Sequence, residues 1–496
     1  MEVELKLAVD GDALALLKEK VLPSIEGEIS GKEKEVFNDY FDTPDFVLRR
    51  RKIGFRVRTQ NGRYEQTIKT QGQVHGGLHQ RPEYNIDLEK PYPDITKFPS
   101  DIWADDLHVE EINQSIQKVF TTHFRRYEFD IQLANGRVEL VYDVGEVRTD
   151  KDSVAINEIE LELKDGKPII LFELAEILTT HLPVRLSNTT KAARGYRLVK
   201  GQFPAVKRLP KFLSLHIEDT TEQGLCKAIT CALDHWQYHL SIFVNTGELK
   251  ALTEIRESMS LLLQGVSLYL PVLQSDDLLK LHRQLLLLTQ KWKWQDDLQS
   301  IGRLRSKKGA FSRRIPKHSD ILNYLQGRKE SLLSAYDPMA RLLSKESIEL
   351  QLFASKILVE KPWQEQNSGA DIPVRKHANG WLSQTWQTVM QSLPNTGTMD
   401  DGKYLALEVL LKQSLTNGFL LGDLFTESRG TFRAPWLDLQ QGIGELKAIA
   451  FMRDALSDLD IDDPAEFSQW LDEKSTALLT VMERSRQVAM QAETYW

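Results

Sequence analysis

Cysteine is nearly absent from this chain, with two residues, Cys226 and Cys231, in 496. They lie five apart in a stretch with helical spacing and cannot easily bridge. A disulfide framework is therefore excluded, and the pair is expected to fill core in a reducing compartment, with the cytoplasm as the default. Long apolar runs are also lacking: none approaches the ~18 residues needed to span a bilayer, so no membrane association is expected. A strand-like pattern begins at the first residues, and on that pattern no signal peptide is expected. Basic charge is not in excess. The 63 Lys and Arg stand against 71 Asp and Glu, for a net charge of −8, which argues against general nucleic-acid binding. No Walker-type Gly-rich phosphate loop is present either. The length allows about two to four domains with full cores.

What is present is alternation. In Glu2-Val3-Glu4-Leu5-Lys6-Leu7 the charged residues fall on one parity and the aliphatic ones on the other. Glu158-Ile159-Glu160-Leu161-Glu162 repeats the pattern, and Phe55-Arg56-Val57-Arg58-Thr59 repeats it with the opposite sign. Period two is the signature of a strand whose faces differ. Any one run alone would suit a solvent-facing strand. Acidic and basic strands together predict a barrel that is apolar outside and charged inside, an arrangement costly unless cations and an anion occupy it.

Two halves of the chain have different periods. Up to about residue 200, alternating segments include 35–41, 54–59, 64–69, 84–88, 125–133, 137–142 and 157–163, with helices expected at about 11–21, 106–121 and 168–180. The turn signals Gln60-Asn61-Gly62-Arg63 and Ala134-Asn135-Gly136-Arg137 predict hairpins and so an antiparallel sheet. From about 219 the period becomes 3.6, as in Leu225, Ile229, Ala232, Leu233, Trp236 and Leu240. Nine of the ten tryptophans lie in this half. The expected organisation is an α+β domain over 1–202, a linker over 203–218 and an all-α domain over 219–496, with a loop at 364–373 dividing the helices.

Several motifs in the first half carry a family resemblance. They are Glu2-x-Glu4-x-Lys6, Tyr40-Phe41-Asp42-Thr43-Pro44-Asp45, Arg56-x-Arg58, Thr67-Ile68-Lys69, Arg81-Pro82-Glu83, Asp143-x-Gly145-Glu146, Glu158-x-Glu160-x-Glu162, and the run Ser187 to Tyr196. In this order they resemble the CYTH domain, the triphosphate tunnel metalloenzyme fold. CYTH followed by helices resembles the CYTH–CHAD inorganic triphosphatases. The resemblance implies an eight-stranded antiparallel β-barrel tunnel with flanking helices, followed by a helical bundle. It also implies hydrolysis of inorganic tripolyphosphate to pyrophosphate and phosphate, with Mg2+ or Mn2+ as cofactor.

Carried over residue by residue, the resemblance assigns the metal to Glu2, Glu4, Glu160 and Glu162. It assigns the substrate to Lys6, Arg56, Arg58, Lys69, Arg81, Arg126 and Lys191. Glu83, Asp143 and Glu158 are expected to hold a second metal or orient the attacking water. Parity puts Glu65 and Glu139 in the lumen as well. The residue types suit a phosphate chain. Arg forks grip phosphate oxygens, and Arg56 and Arg58 are about 7 Å apart along one strand, comparable to a short polyphosphate. Hard divalent cations take carboxylate oxygens. Arg126 is preferred over Arg125 as the inward residue, because it shares parity with Glu128 and Asp130. Asn85 departs from the family, which often has an acidic residue there. His75 and His79, around Gly76-Gly77, are expected in a solvated loop.

In the helical half, the place of the family's His-and-Arg anion lining falls at Leu249–Leu262. Arg256 is retained, but Thr253 stands where His is expected. Leu437–Leu446 resembles the family's closing helix entry. The basic run Arg303, Arg305, Lys307, Lys308, Arg313, Arg314 and Lys317 contains no acidic residue, and reads as a solvated loop or a polyphosphate-docking patch. Two other functions stay open: hydrolysis or cyclisation of an organic triphosphate such as thiamine triphosphate or ATP, and non-catalytic polyphosphate binding. The sequence does not specify an oligomeric state.

Overall fold

The computed structural model describes residues 1–202, 204–364, 369–394, 396–425, 428–459 and 463–496. The start of the expected linker at residue 203, and residues 365–368 of the expected loop, lie outside the described residues. Two compact units are found. The first comprises Met1–Val206, Gln237–Glu248 and Leu342–Lys361, and the second Lys207–Trp236, Leu249–Arg341 and Pro362–Trp496. Two segments from beyond residue 202 thus belong to the first unit.

The first unit is built on eleven strands: β1 Glu2–Val9, β2 Glu28–Asp42, β3 Gly54–Gln60, β4 Arg63–Lys69, β5 Gln73–His75, β6 Leu78–Arg81, β7 Glu83–Leu88, β8 Gln117–Leu133, β9 Gly136–Arg148, β10 Ser153–Gly166 and β11 Val184–Leu186. Their order is β5-β6-β1-β10-β9-β8-β2-β3-β4-β7, with β11 also on β1. All neighbouring pairs are antiparallel.

The two ends of that order meet through the chain itself. β6 and β7 are one run, 78–88, interrupted at Pro82, which has no N–H to donate to a ladder. Its first part pairs with β1, Arg81 opposite Glu2, and its second part with β4, Glu83 opposite Lys69. Counting that run once, eight strands form a ring, with β5 and β11 as short additions. The Asn61-Gly62 turn joins β3 to β4 with both residues at positive φ, the geometry a two-residue hairpin needs to match strand twist.

Strand lengths depart from the expectation. β2 and β8 run well beyond 35–41 and 125–133, pairing over 28–42 and 117–132. The helix expected at 106–121 is confined to Val109–Ser115, because alternation already governs the chain from Gln117. At 11–21 a short helix, Leu14–Leu16, continues as a π-helical turn, Leu17–Val21.

Apolar faces of the strands point outward and are covered. Leu5, Leu7, Leu140, Ile159 and Leu161 pack under the helix Ile169–His181, in a cluster that also takes in Leu352 from the helix Lys345–Glu360. Phe55, Ile53 and Ile68 pack against Ile95, Phe98 and Ile112. The Asp42 carboxylate, fully buried, accepts from the N–H groups of Thr43, Leu48 and Arg49 and from the Tyr196 hydroxyl at 2.8–3.0 Å. That explains physically why the Tyr40–Asp45 and Ser187–Tyr196 motifs go together: they are one structural clasp.

The second unit is helical. Its longer helices include Leu249–Tyr269, Asp276–Lys291, Ser319–Tyr336, Arg375–Gln391, Asp401–Leu421, Arg429–Ala455 and Pro464–Gln491. One of its cores joins Ile301, Leu304 and Ile321 to Ile449, Met452 and Leu471. Among the described residues no helix is long and apolar enough to cross a membrane.

Candidate active site in the tunnel

Strand parity brings the charged residues together inside the ring. Glu158 faces Asp143 across β10 and β9, Arg126 faces Asp143 across β8 and β9, and Lys6 faces Glu160 across β1 and β10. Lys191 enters from the first turn of the helix Lys191–Val199, whose N-cap Thr190 accepts from the Ala193 N–H. Its ammonium lies 2.5 Å from Glu158, 2.7 Å from Asp143 and 3.1 Å from Glu160. Arg126 donates twice to Asp143, at 2.7 and 2.6 Å, and reaches Glu160 at 3.4 Å. Lys6 bonds Glu160 directly, and Arg194 bonds Glu158.

The electrostatics of this nest are extreme. Burial would raise the Glu158 pKa, but Lys191, Lys6 and Arg194 hold it down to about 2. Glu160 is likewise kept well below the carboxylate range, against burial, by Lys191, Lys6 and Arg126. Burial would strip Lys6 of its proton, yet Glu158, Glu160 and Glu4 hold it charged beyond the ordinary lysine range. One oxygen each from Asp143, Glu158 and Glu160 lie within 4.8 Å of one another.

The four carboxylates expected to hold the metal do not gather in that way. Of them, only Glu160 belongs to this group. Glu162 lies two residues farther along β10, opposite Glu4 and Glu139, and is bonded to Lys164 at 2.7 Å. Glu2 is bonded to Lys69 at 2.6 Å. Burial, with help from Glu4 and Glu83 and against Lys69, pushes Glu2 up to about 7. Glu83 shares Lys69 at 3.1 Å and, against burial, is held down to about 2 by Lys69 and Arg56. Along each strand the pair is spread by the ~7 Å repeat of alternate residues, although Glu4 and Glu162 face each other across β1 and β10.

The basic wall differs from the nest. Arg56 and Arg58 project from β3; Arg56 comes no nearer than 3.7 Å to Glu83, and its buried Nε has no hydrogen-bond partner. Arg58 donates to Asn38 at 3.0 Å, and among the described residues no carboxylate forms an ion pair with it. Burial, then the neighbouring Arg56 and Arg126, push Arg58 down to about 9. Here the guanidinium groups are only loosely matched by carboxylates. Arg125, by contrast, points outward to Glu33. Asn85 accepts from Thr67 at 2.8 Å.

Sequence reasoning missed three lumen residues. Lys164 and Arg194 continue patterns already in view: Lys164 has the parity of Glu158, Glu160 and Glu162, and Arg194 lies one helical turn beyond Lys191. The third corrects an expectation. His79 is not in a solvated loop; it sits on β6 opposite Glu4, 1% exposed. Burial pushes its pKa down to about 4, despite the nearby Glu4. His75 lies on β5, whose pairing with β6 replaces the loop. The Gly76-Gly77 turn between them was the misleading signal.

Comparison with known families fits this geometry. The family model for the CYTH domain matches residues 1–196. The tunnel carries a CYTH domain. An inorganic triphosphatase of Haemophilus influenzae is 34% identical to this chain over 167 residues, which is 34% of this chain and 46% of that protein. The match therefore spans less than half of the relative's length. Among solved structures, a Hippeastrum adenylyl cyclase described as having a dominant triphosphatase activity is 20% identical, covering 41% of this chain and 97% of its own, with a TM-score of 0.31. A CHAD domain from Ricinus communis is 14% identical, covering 58% of this chain and 93% of its own, with a TM-score of 0.39. At these scores the two likenesses carry no weight for this chain.

In the helical unit, three basic groups near the expected anion lining are paired. Arg256 bonds Asp296 at 2.6 Å, Lys447 bonds Glu408 and Asp296 at 2.9 and 3.1 Å, and Lys412 bonds Glu257 at 3.0 Å. Thr253 lies on the helix Leu249–Tyr269, its hydroxyl 3.5 Å from the Leu249 carbonyl of its own helix. Leu437–Leu446 lies inside the helix Arg429–Ala455 rather than at a helix entry. Within the basic run, Arg314 pairs with Glu466 and lies over Trp470.

Proposed function

We propose that the tunnel hydrolyses inorganic tripolyphosphate to pyrophosphate and phosphate with a divalent cation, Mg2+ or Mn2+. The observation that carries this reading is the imbalance on the basic wall. Arg58 lacks a carboxylate partner and the buried Arg56 Nε lacks any acceptor, so the wall is short of an anion that can accept several hydrogen bonds. The similarity of the CYTH domain to a named inorganic triphosphatase supports a phosphate chain as that anion.

Arg56, Arg58, Lys69 and Arg81 are assigned to the phosphate oxygens, with Lys6, Arg126 and Lys191 stabilising charge on the transferring group. An all-carboxylate donor set suits a hard cation, and Asp143, Glu158 and Glu160 are the grouped candidates, with Glu2, Glu4 and Glu162 along the same wall. When bound, the cation supplies Lewis acidity and a more acidic water. Glu83, ionised beside Lys69, is a further candidate for orienting water.

Phosphate release from tripolyphosphate, ATP and thiamine triphosphate, each with and without Mg2+ or Mn2+, tests the reading. Metal-dependent turnover of tripolyphosphate well above the other two is expected. Preference for ATP or thiamine triphosphate would move the assignment to an organic triphosphate. Binding without turnover of any of them would leave a polyphosphate-binding tunnel.

A further inference from the structure

The geometry points to His79 as a positioning residue that aims Arg81 at the phosphate chain. This rests on the tunnel reading above and adds a residue to it. Arg81 lies on β6 opposite Glu2, at the place where the ring closes. A terminal guanidinium nitrogen of Arg81 is 2.6 Å from Nδ1 of His79. Nε2 of the same ring faces the Ser187 carbonyl at 3.5 Å. An arginine only donates, so Nδ1 must accept, and the proton must sit on Nε2, where the carbonyl can receive it. Both contacts select one tautomer of a neutral ring.

Arg81, like Arg58 on Asn38, is held by a neutral acceptor rather than by a carboxylate. Arg126, Arg194 and Lys191 are all gripped by carboxylates. A carboxylate partner would neutralise Arg81, whereas an imidazole fixes one of its nitrogens and leaves the positive charge available to an incoming anion. The Ser187 carbonyl, in turn, belongs to the segment that leads into Thr190 and Lys191, so one ring links two cationic side chains. The hairpin behind His79 is also held: the Ser355 hydroxyl donates to the Gly76 carbonyl at 2.9 Å.

The test is a double-mutant cycle in the full chain, using His79→Ala, Arg81→Ala and the pair, with His79→Asn and His79→Gln as graded replacements. His79→Ala should raise KM for tripolyphosphate about tenfold, the scale of one charge-assisted hydrogen bond, while kcat changes less. The effect should vanish in the Arg81→Ala background. His79→Asn, whose carbonyl can accept near the Nδ1 position, should recover most of the loss, and His79→Gln should not. Equal losses in both backgrounds, or Asn no better than Gln, would overturn the assignment. If His79→Ala does not fold, the Asn–Gln difference decides. Imidazole 15N shifts give a readout independent of turnover: an Nε2-protonated ring whose Nδ1 signal moves in Arg81→Ala is expected, and an unmoved signal refutes the contact. A parent enzyme inactive on every triphosphate would instead count against the proposed reaction, leaving the nitrogen shifts to judge His79.

Discussion

Replacing Leu352 by Ala should weaken the tunnel, although Leu352 lies more than 150 residues beyond Lys191, the last expected site residue. Leu352 is 1% exposed, within the cluster that covers the outer faces of β1, β9 and β10. Truncating a buried leucine to alanine costs about 2–5 kcal/mol, depending on how far the cavity collapses. Deleting the whole helix Lys345–Glu360 would also remove the Ser355–Gly76 hydrogen bond, worth about 1 kcal/mol net, and the half-exposed Lys356–Glu176 pair at 3.5 Å, worth about 1 kcal/mol or less. The total, about 3–7 kcal/mol, is comparable to the roughly 5–15 kcal/mol that holds a domain folded. A fragment ending at residue 202 keeps every proposed catalytic side chain yet should be marginally stable.

Hydrogen exchange read by mass spectrometry isolates the effect, because peptides from β1 and β10 report on this unit alone. In Leu352→Ala their slowest amides should exchange at least about thirtyfold faster, the rate equivalent of 2 kcal/mol. Exchange in β1 and β10 within threefold of the parent, or a 1–202 fragment as protected as the full chain, would refute the reasoning.

Glu160→Gln should abolish tripolyphosphate hydrolysis while the ring stays folded; turnover within about tenfold of the parent at saturating metal would remove Glu160 from the metal and substrate machinery. Asp42→Ala strands three N–H groups and the Tyr196 hydroxyl, and should cost about 3–5 kcal/mol in urea denaturation, with Asp42→Asn recovering part of it. Because Glu158 is depressed to about 2, its contribution is complete above its unfolded value near 4.5 and is lost as pH falls from there towards 2. That difference corresponds to about 3 kcal/mol, so Glu158→Gln should flatten the stability–pH curve between pH 4.5 and 2, and equal slopes in parent and variant would count against the depressed value.

Much of the fold was legible because a strand in a closed ring shows one parity to the lumen and the other to its cover, as Glu2, Glu4 and Lys6 against Val3, Leu5 and Leu7 demonstrate. The ends of strands were less legible: the added stretch of β2 carries charges on both parities, at Lys32, Glu33 and Lys34, and the added stretch of β8 alternates but follows directly on the helix Val109–Ser115. His79 was hidden by its surroundings: the flanking Gly76-Gly77 and Pro82 look like loop punctuation, whereas here the glycines turn a hairpin and the proline marks where one strand changes partners. The helix Lys345–Glu360 was hidden for another reason. Its apolar period of 3.6 is that of every other helix in the second half, and periodicity says that a face is buried without saying against what. Ile53 and Phe55 find their cover in Ile95, Phe98 and Ile112. The same limit applies to charge. Strand parity puts many carboxylates on one face of the ring, but which of them meet depends on register, and register sets Asp143 beside Glu158 while leaving Glu162 to Lys164. A cation that bound chiefly at Asp143, Glu158 and Glu160 would have to displace Lys6 and Lys191 from their partners. Metal affinity in Lys191→Met should therefore separate a nest that holds the metal from one that holds the ring together: tighter binding indicates the first, and unchanged binding with lost stability the second.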